Sequence, residues 1–415
     1  VFVVMVFLAA CGTDSPDAAS GGGTLTSSSS GPQPCLSGWS VARRPFVSGV
    51  FDELLASSAV SHDDVWAVGT RQVLSTQPPA ATTSPPDNRS SALIEHWDGR
   101  QWTEVPGADL GERSAALSDV VAVAANDVWS VGSFKSSRNQ GSGPLIEHWD
   151  GRAWSLVEGA PFPSGGDEWR GLQAIAVVSS ADIWIKGGES ITVPGDWSNH
   201  DIYEHWDGRQ WTLFEGPQVI DPTIGSGGTG PISADRTGDV WAVGQIGGFE
   251  GRPIPEGLIP LVERWDGSSW ARMPAPDDPY GLVGLAVVSA SDIWAIQYPV
   301  PGGGAQFVHW DGTSWTVFGS AAGLGGFAVR APNDIWAFGG VDSSRGPAVQ
   351  HWDGQQWNPT DTQPPASVTS SFRGASVTAT GTLVAFGTDY PGSSGMGGYS
   401  GPPDQANNYL WINCA

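Results

Sequence analysis

The chain has 415 residues and a formal net charge of −24, from 43 acidic against 19 basic side chains, and it contains 22 tryptophans. So acidic a surface repels phosphate backbones, and its only lysines, Lys135 and Lys186, form no basic stripe with interleaved aromatics, which excludes nucleic acid as a partner. The length also exceeds that of an ordinary single hydrophobic core, so burial must be divided among domains or among repeated units.

The N-terminal V-F-V-V-M-V-F-L-A-A-C is an apolar run too short to span a bilayer as a helix. With L-A-A-C as a lipobox, it resembles the export signal of bacterial lipoproteins. That resemblance implies a signal peptide over residues 1–10, lipidation of Cys11, and a protein exported and anchored by its lipid outside the cytoplasmic membrane, in the periplasm or at the cell surface. An ordinary cleaved signal or a chance apolar run are the alternatives. Residues 11–34 are rich in Gly, Ser, Thr, Ala and Pro, a composition that stays a flexible coil and reads as a tether.

From residue 35 to 415 the chain repeats itself. D-V/I-W-A-V-G and its variants occur at Asp64–Gly69, Asp127–Gly132, Asp182–Gly187, Asp239–Gly244, Asp292–Gln297 and Asp334–Gly339. Each is followed by H-W-D-G-x-x-W, beginning at His96, His148, His205, Arg264, His309 and His351. A degenerate seventh copy, G-T-L-V-A-F-G, ends at Gly387. The spacing of roughly 40 to 60 residues suits four-stranded propeller blades better than helical solenoids.

Within one unit, a β-branched run such as Asp119 to Ala124 predicts strand a, and V-W-A-V-G predicts strand b after a tight turn. Strands c and d meet at Asp98 and Gly99, a pair that favours a two-residue type I′ turn. Trp97 and Trp102 then share one face of the blade, with Trp66 on strand b, and these rings supply the layer between sheets. Six blades with three tryptophans each leave Trp39, Trp169, Trp197 and Trp411. N-N-Y-L-W-I-N predicts a strand c ending at Trp411, and L-S-G-W-S-V a strand d holding Trp39. The expected fold is therefore an all-β, seven-bladed propeller of four-stranded antiparallel blades, closed by an N-terminal strand d and a C-terminal strand c in blade seven. In this register Cys35 and Cys414 both fall at the c-to-d end of blade seven, which predicts a disulfide across the closure, with two free thiols as the alternative. A bridge requires an oxidising compartment.

The units resemble kelch repeats, in which I-Y-V-I-G-G, E-V-Y-D and a Trp follow at fixed spacing; Trp here replaces Tyr and the c-to-d turn is shorter. Most copies lack the second glycine of the doublet, with Gly187–Gly188 and Gly339–Gly340 as exceptions. More distantly, the hairpin Asp followed by G-x-x-W is similar to the Asp-box of sialidase-type propellers. The resemblance implies architecture alone, because propellers host unrelated functions.

In a propeller the b-to-c and d-to-a connections share one face. Here they vary in length, with long stretches from Arg71 to Ser91 and from Thr388 to Asn408, and such variation on one face marks a binding face. Trp169 and Trp197, both outside the repeat, fall on it in blade three. They are accompanied by Asp167, Glu168, Arg170, Asp196, Asn199, His200 and Asp201. Aromatic faces beside carboxylates, Asn and Arg suit a sugar or peptide ligand; rings that only cap the loops are the alternative reading.

The repeated His96, His148, His205, His309 and His351 are dispersed one per blade, so no metal is expected on them, and no D-x-D-x-D loop supports calcium. The repeated Glu95, Glu147, Glu204 and Glu263 read as structural, since a catalytic acid is unique in its array; a lone functional carboxylate is expected in the variable loops. The chain carries no G-x-S-x-G, P-loop, H-E-x-x-H or C-x-x-C motif. Arg43, Arg44, Arg170, Arg330, Arg373 and Tyr280 are not tied together by any sialidase-like motif. The expectation is a non-catalytic propeller lipoprotein, without cofactor, binding a polysaccharide or an envelope protein through its variable face. A glycoside-processing enzyme on the same face and a structural envelope-assembly subunit are the alternatives.

Overall fold

The computed structural model describes residues 38–44, 50–73, 90–111, 113–135, 142–161, 170–193, 196–217, 220–221, 225–246, 259–278, 280–298, 304–339, 348–360, 370–389 and 407–414. After β1 (Gly38–Arg43), blade one comprises β2 (Val50–Ser61), β3 (Asp64–Val73), β4 (Ser90–Trp97) and β5 (Trp102–Glu104). Blade two comprises β6 (Ser114–Ala124), β7 (Asp127–Lys135), β8 (Ser142–Trp149) and β9 (Trp154–Leu156). Blade three comprises β10 (Arg170–Ser179), β11 (Asp182–Val193), β12 (Asp196–Trp206) and β13 (Trp211–Glu215). Blade four adds a short outlier, β14 (Ile220–Asp221), to β15 (Gly225–Ala234), β16 (Val240–Ile246), β17 (Ile259–Trp265) and β18 (Trp270–Arg272). Blade five is β19 (Leu282–Ser289), β20 (Asp292–Gln297), β21 (Gln306–Trp310) and β22 (Trp315–Ser320); blade six is β23 (Leu324–Ala331), β24 (Asp334–Gly339), β25 (Ala348–Trp352) and β26 (Trp357–Pro359).

Blade seven takes β27 (Ser370–Val377), β28 (Leu383–Asp389) and β29 (Asn407–Cys414) from the C-terminal end and β1 from the N-terminal end, in the order β27-β28-β29-β1. The closing register runs from Gly38 opposite Cys414 to Arg43 opposite Tyr409. Cys11 and Cys35 lie outside the described residues. The inner strands touch in succession, from β2 through β6, β10, β15, β19 and β23 to β27, which returns to β2. The result is a closed seven-bladed β-propeller, and among the described residues there is no helix.

Every inner strand carries a bulge at the same step, as between Leu54 and Ala56, Leu117 and Asp119, or Leu324 and Gly326. The bulge drives a carbonyl against strand b. A Cβ on Gly69 would lie 1.9 Å from the Glu53 oxygen, and one on Gly132 would lie 2.1 Å from the Ala116 oxygen. In these blades close backbone approach thus favours the glycine that ends V-W-A-V-G, whereas blade five carries Gln297 opposite Leu282 at this step.

The tryptophans join the sheets as expected, by one rule. The strand b indole of each of blades one to five packs against the indole pair of the next: Trp66 lies 4.9 Å from Trp149 and 5.3 Å from Trp154, Trp129 lies 5.7 Å from Trp211, Trp184 lies 4.8 Å from Trp265, Trp241 lies 6.4 Å from Trp310, and Trp294 lies 4.6 Å from Trp352. Their near-perpendicular or tilted geometries suit the ring quadrupoles.

Three local expectations are corrected. The c-to-d turn has four residues, not two, so Trp97 lies directly opposite Trp102 and His96 opposite Thr103. The reason is the aspartate: Asp98 Oδ1 accepts the N–H groups of Arg100 and Gln101 at 2.9 and 2.8 Å, while Gly99 takes φ 84°, an Asx-type turn that the Asp-Gly pair alone does not distinguish from type I′. Trp411 does not end strand c. It lies within β29 opposite Ala385, the step held by Glu95 in blade one, and is fully buried against Phe372. Finally, most of the b-to-c segment of blade three is strand, because the β11–β12 ladder runs on to Thr192 opposite Trp197 and Val193 opposite Asp196; the β-branched Ile191, Thr192 and Val193 favour that extension.

Candidate functional site

A cavity of about 630 Å³ occupies the channel and takes its walls from blades one to five. Inner strands run from the d-to-a connection towards the a-to-b turn. The cavity touches Leu282 and Val283, the first residues of β19, and Gly244 and Gln245 near the end of β16. It therefore lies towards the face that carries the b-to-c and d-to-a connections. Leu55 and Ala56 on one side and Leu282 and Val283 on the other make apolar walls, and between them stand Ser118, Asp119, Gln173 and Gln245.

Asp119 sits just past the bulge of β6. Its Oδ1 accepts the Val120 N–H at 2.8 Å and its Oδ2 accepts the Ile175 N–H of blade three at 3.0 Å. Desolvation pushes its pKa up to about 6, against the opposing effect of those two N–H groups. No cation contributes to this balance. Among the described lining residues Asp119 is the one carboxylate, and it stands on an inner strand, not in a variable loop.

Gln173 reaches the cavity exposed, with Oε1 accepting from Lys186 Nζ at 2.6 Å. Lys186 is itself buried and pairs with Asp201 at 3.1 Å. At its step the other blades carry Val68, Val131, Val243, Ile296, Phe338 and Phe386, so the ammonium is a departure peculiar to blade three. Since an ammonium only donates, the contact fixes Gln173 Oε1 towards Lys186 and turns the amide nitrogen away from it.

The residues singled out in blade three divide. Asp167, Glu168 and Trp169 lie outside the described residues. Asp196, Trp197 and Asn199 are placed on β12 by backbone register only, as is Asn199 opposite Ser190. Arg170 opens β10 and its Nε donates to Glu189 Oε1 at 2.7 Å. His200 stands opposite that Glu189, and Asp201 is committed to Lys186. Arg170 with Glu189 and Lys186 with Asp201 are thus two internal pairs of this blade.

The repeated glutamates line the seams. Glu204 Oε2 accepts the Ala160 N–H at 2.7 Å, from the connection that leaves blade two. Glu147 lies against the equivalent Gly107 and Ala108. The connection that leaves blade three has Pro217 at that step, which offers no N–H, and the Tyr203 hydroxyl donates to Glu263 Oε2 of blade four at 2.7 Å instead. In blade one Glu95 meets Arg44. Burial lifts Glu147 and Glu204 to about 7, and burial together with the Asp201 charge lifts Glu263 to about 8. The histidines are equally local. Nε2 of His96, His148, His205, His309 and His351 meets Asp64, Asp127, Asp182, Asp292 and Asp334 at 2.8 to 2.9 Å. In blade four Arg264 takes this place against Asp239 at 2.7 Å.

Fold and cavity together define a seven-bladed propeller with a polar arc at one channel mouth. No family model matches the chain, and no curated protein matches it. Among solved structures it is similar to YCF48 bound to a D1 peptide, with a TM-score of 0.52 and 16% identity over 92% of this chain and 99% of that one. It is also similar to a catalytically inactive virginiamycin B lyase from Staphylococcus aureus with quinupristin, at 0.49 and 11% over 90% and 99%. A protein of unknown function from Dyadobacter fermentans gives 0.49 and 10% over 90% and 98%. At such identities the likeness is one of fold.

Proposed function

We propose that this is a ligand-binding propeller, built from kelch-like units and held by an N-terminal lipid outside the cytoplasmic membrane, that takes a polysaccharide or a protein through the face bearing the b-to-c and d-to-a connections. The observation that carries this reading is the channel cavity of about 630 Å³ on that side, within the range of ligand sites and combining apolar walls with few polar groups. The aromatic and polar residues of blade three, Trp169 and Trp197 among them, would extend the contact outward.

Binding is favoured over glycoside hydrolysis by the carboxylate content of the cavity. Hydrolysis calls for two carboxyl groups about 5 to 9.5 Å apart, whereas the described walls contribute Asp119 alone. The test is a screen against glycans, cell-wall polymers and envelope extracts, run with the wild type and a Trp169→Ala, Trp197→Ala double variant of matched thermal stability. Saturable binding weakened in the double variant supports the reading. Absence of binding by the wild type overturns it and turns attention to a structural role in envelope assembly.

A further inference from the structure

Asp119 occupies a step, eight residues before the strand b aspartate, where the other blades have Ala56, Ala174, Pro231, Gly284, Gly326 and Gly374. All six are uncharged and small or cyclic. The seam-bridging bond from Asp119 to the Ile175 N–H does not explain a carboxylate there. Ser58 Oγ makes a similar tie to the Ala122 N–H at 3.0 Å between blades one and two, and Ser233 Oγ to the Val287 N–H at 3.3 Å between blades four and five. A neutral hydroxyl is sufficient to join neighbouring inner strands, and it avoids the cost of desolvating a charge.

Among the described residues the carboxylate also has no counter-charge: no Lys, Arg or His pairs with it, and the nearby Lys186 is taken by Asp201 and Gln173. A metal ion is a poor match, because calcium takes six to eight oxygens and Asp119 is the one carboxylate among the described lining residues; each of its oxygens accepts one backbone N–H and keeps a second lone pair for a donor. What the surroundings do offer is aliphatic wall, from Leu55, Leu282 and Val283, and an acidic body of net charge −24 that draws cations to its mouth.

Resting on the ligand-binding reading above, we infer that Asp119 receives a cationic nitrogen of the ligand, a primary ammonium or guanidinium on an aliphatic stem, with the stem against Leu55, Leu282 and Val283 and Gln173 beside the head group. A charged head with an apolar stem is what a Lys or Arg side chain presents, and a free alkyl diamine presents the same chemistry. The pairing is charge-assisted and engages a part-buried carboxylate in a cavity, so it depends on the carboxylate more than a surface pair does.

The test titrates the full-length protein with cadaverine, with an acetylated and amidated Gly-Gly-Lys-Gly-Gly peptide, and with neutral 1-pentanol. Wild type is compared with Asp119→Asn, with Asp119→Ser, which leaves a neutral hydroxyl at the step, and with Val283→Trp, which fills the cavity. The expected result is saturable one-to-one binding of an amine, weakened on the order of tenfold or more in both Asp119 variants and abolished by Val283→Trp. Pentanol binding as tight as the amine, or an Asn or Ser variant of native stability that binds amines like the wild type, overturns the inference. If a polymer from the screen binds wild type and Asp119→Asn alike but not Val283→Trp, the cavity is a ligand site and the cationic assignment is wrong. No saturable binding of either amine to the wild type overturns the assignment whatever the screen returns. Preference for the peptide over cadaverine supports the inference with a protein as the source of the cation; the opposite preference supports it with a free polyamine.

Discussion

The guanidinium of Arg44, one residue beyond the strand that closes the ring, donates through Nε to the buried carboxylate of Glu95 in blade one and through Nη2 to Asp52 at 2.7 Å. Arg71 extends the network, bonding Asp52 at 2.6 and 2.7 Å and Glu104 at 2.7 Å. Burial alone would raise Asp52, but the bonds from Arg71 and the charge of Arg44 hold it below the usual carboxylate range. Burial keeps Glu95 above its ordinary value despite the Arg44 charge. The N-terminal strand is therefore fastened by backbone pairing to β29 and by a buried ion network to the blade beyond it.

Removing Arg44 leaves the buried Glu95 without its cation and Asp52 with Arg71 alone. Arg44→Ala is expected to destabilise the ring by about 3 to 5 kcal/mol, with the greatest loss of amide protection in β1 and β29. Chemical denaturation combined with hydrogen exchange checks this. A variant as stable as the wild type would mean that the network adds nothing to the closure.

The glutamate seams make stability depend on pH. Glu147 and Glu204 titrate near 7 in the folded protein and Glu263 near 8, all above the unfolded value of about 4.3. The folded state thus binds more protons through this window. The stabilising contribution is fully present below about pH 4.3 and is lost as pH rises through 7 to 8. The melting temperature is expected to fall between pH 5 and pH 8, and Glu147→Gln with Glu204→Gln should flatten that slope. A double variant with the wild-type slope would remove the seams as its cause.

The packing rule predicts a graded response at one tryptophan. Trp129 is buried against Trp206 and Trp211 of blade three, and its Nε1 donates to Asp127 Oδ1 at 2.8 Å. Trp129→Ala should cost about 3 to 5 kcal/mol through the cavity it opens between sheets. Trp129→Phe retains an aromatic ring in the seam and should cost clearly less. Equal losses, measured by urea denaturation, would place the energetic weight on the hydrogen bond instead of the seam.

The repeat made the blade count, the ring closure and the indole layer legible, because each follows from spacing within one unit of sequence. What crosses between units was hidden. That Glu204 meets Ala160, or that Tyr203 serves Glu263 where Pro217 lacks an N–H, depends on partners 44 and 60 residues apart. Asp119 was concealed differently, inside the β-branched run that marked strand a. Superposing the units on the strand b aspartate exposes it as a charged residue at a step otherwise held by Ala, Pro or Gly. The length of the c-to-d turn is not legible in the sequence because Asp-Gly serves two turn types, and the choice rests on which N–H groups the aspartate accepts.

Two glycines of inner-channel geometry should respond in opposite directions to the same change. A Cβ at Gly132 would meet the Ala116 carbonyl oxygen at 2.1 Å and Leu117 Cα at 2.8 Å, both main-chain atoms that cannot move without shifting the bulge. At Gly326, just past the bulge of β23, a Cβ meets nothing within 4 Å, and the backbone is not among the positive-φ glycines. Gly132→Ala should therefore destabilise strongly, by more than about 2 kcal/mol. Gly326→Ala should be neutral or stabilising by up to about 1 kcal/mol, since it reduces the freedom of the unfolded chain. Denaturation midpoints of the two variants check the contrast. If Gly132→Ala is tolerated as well as Gly326→Ala, the bulge does not press on strand b, and the repeated glycine needs another cause.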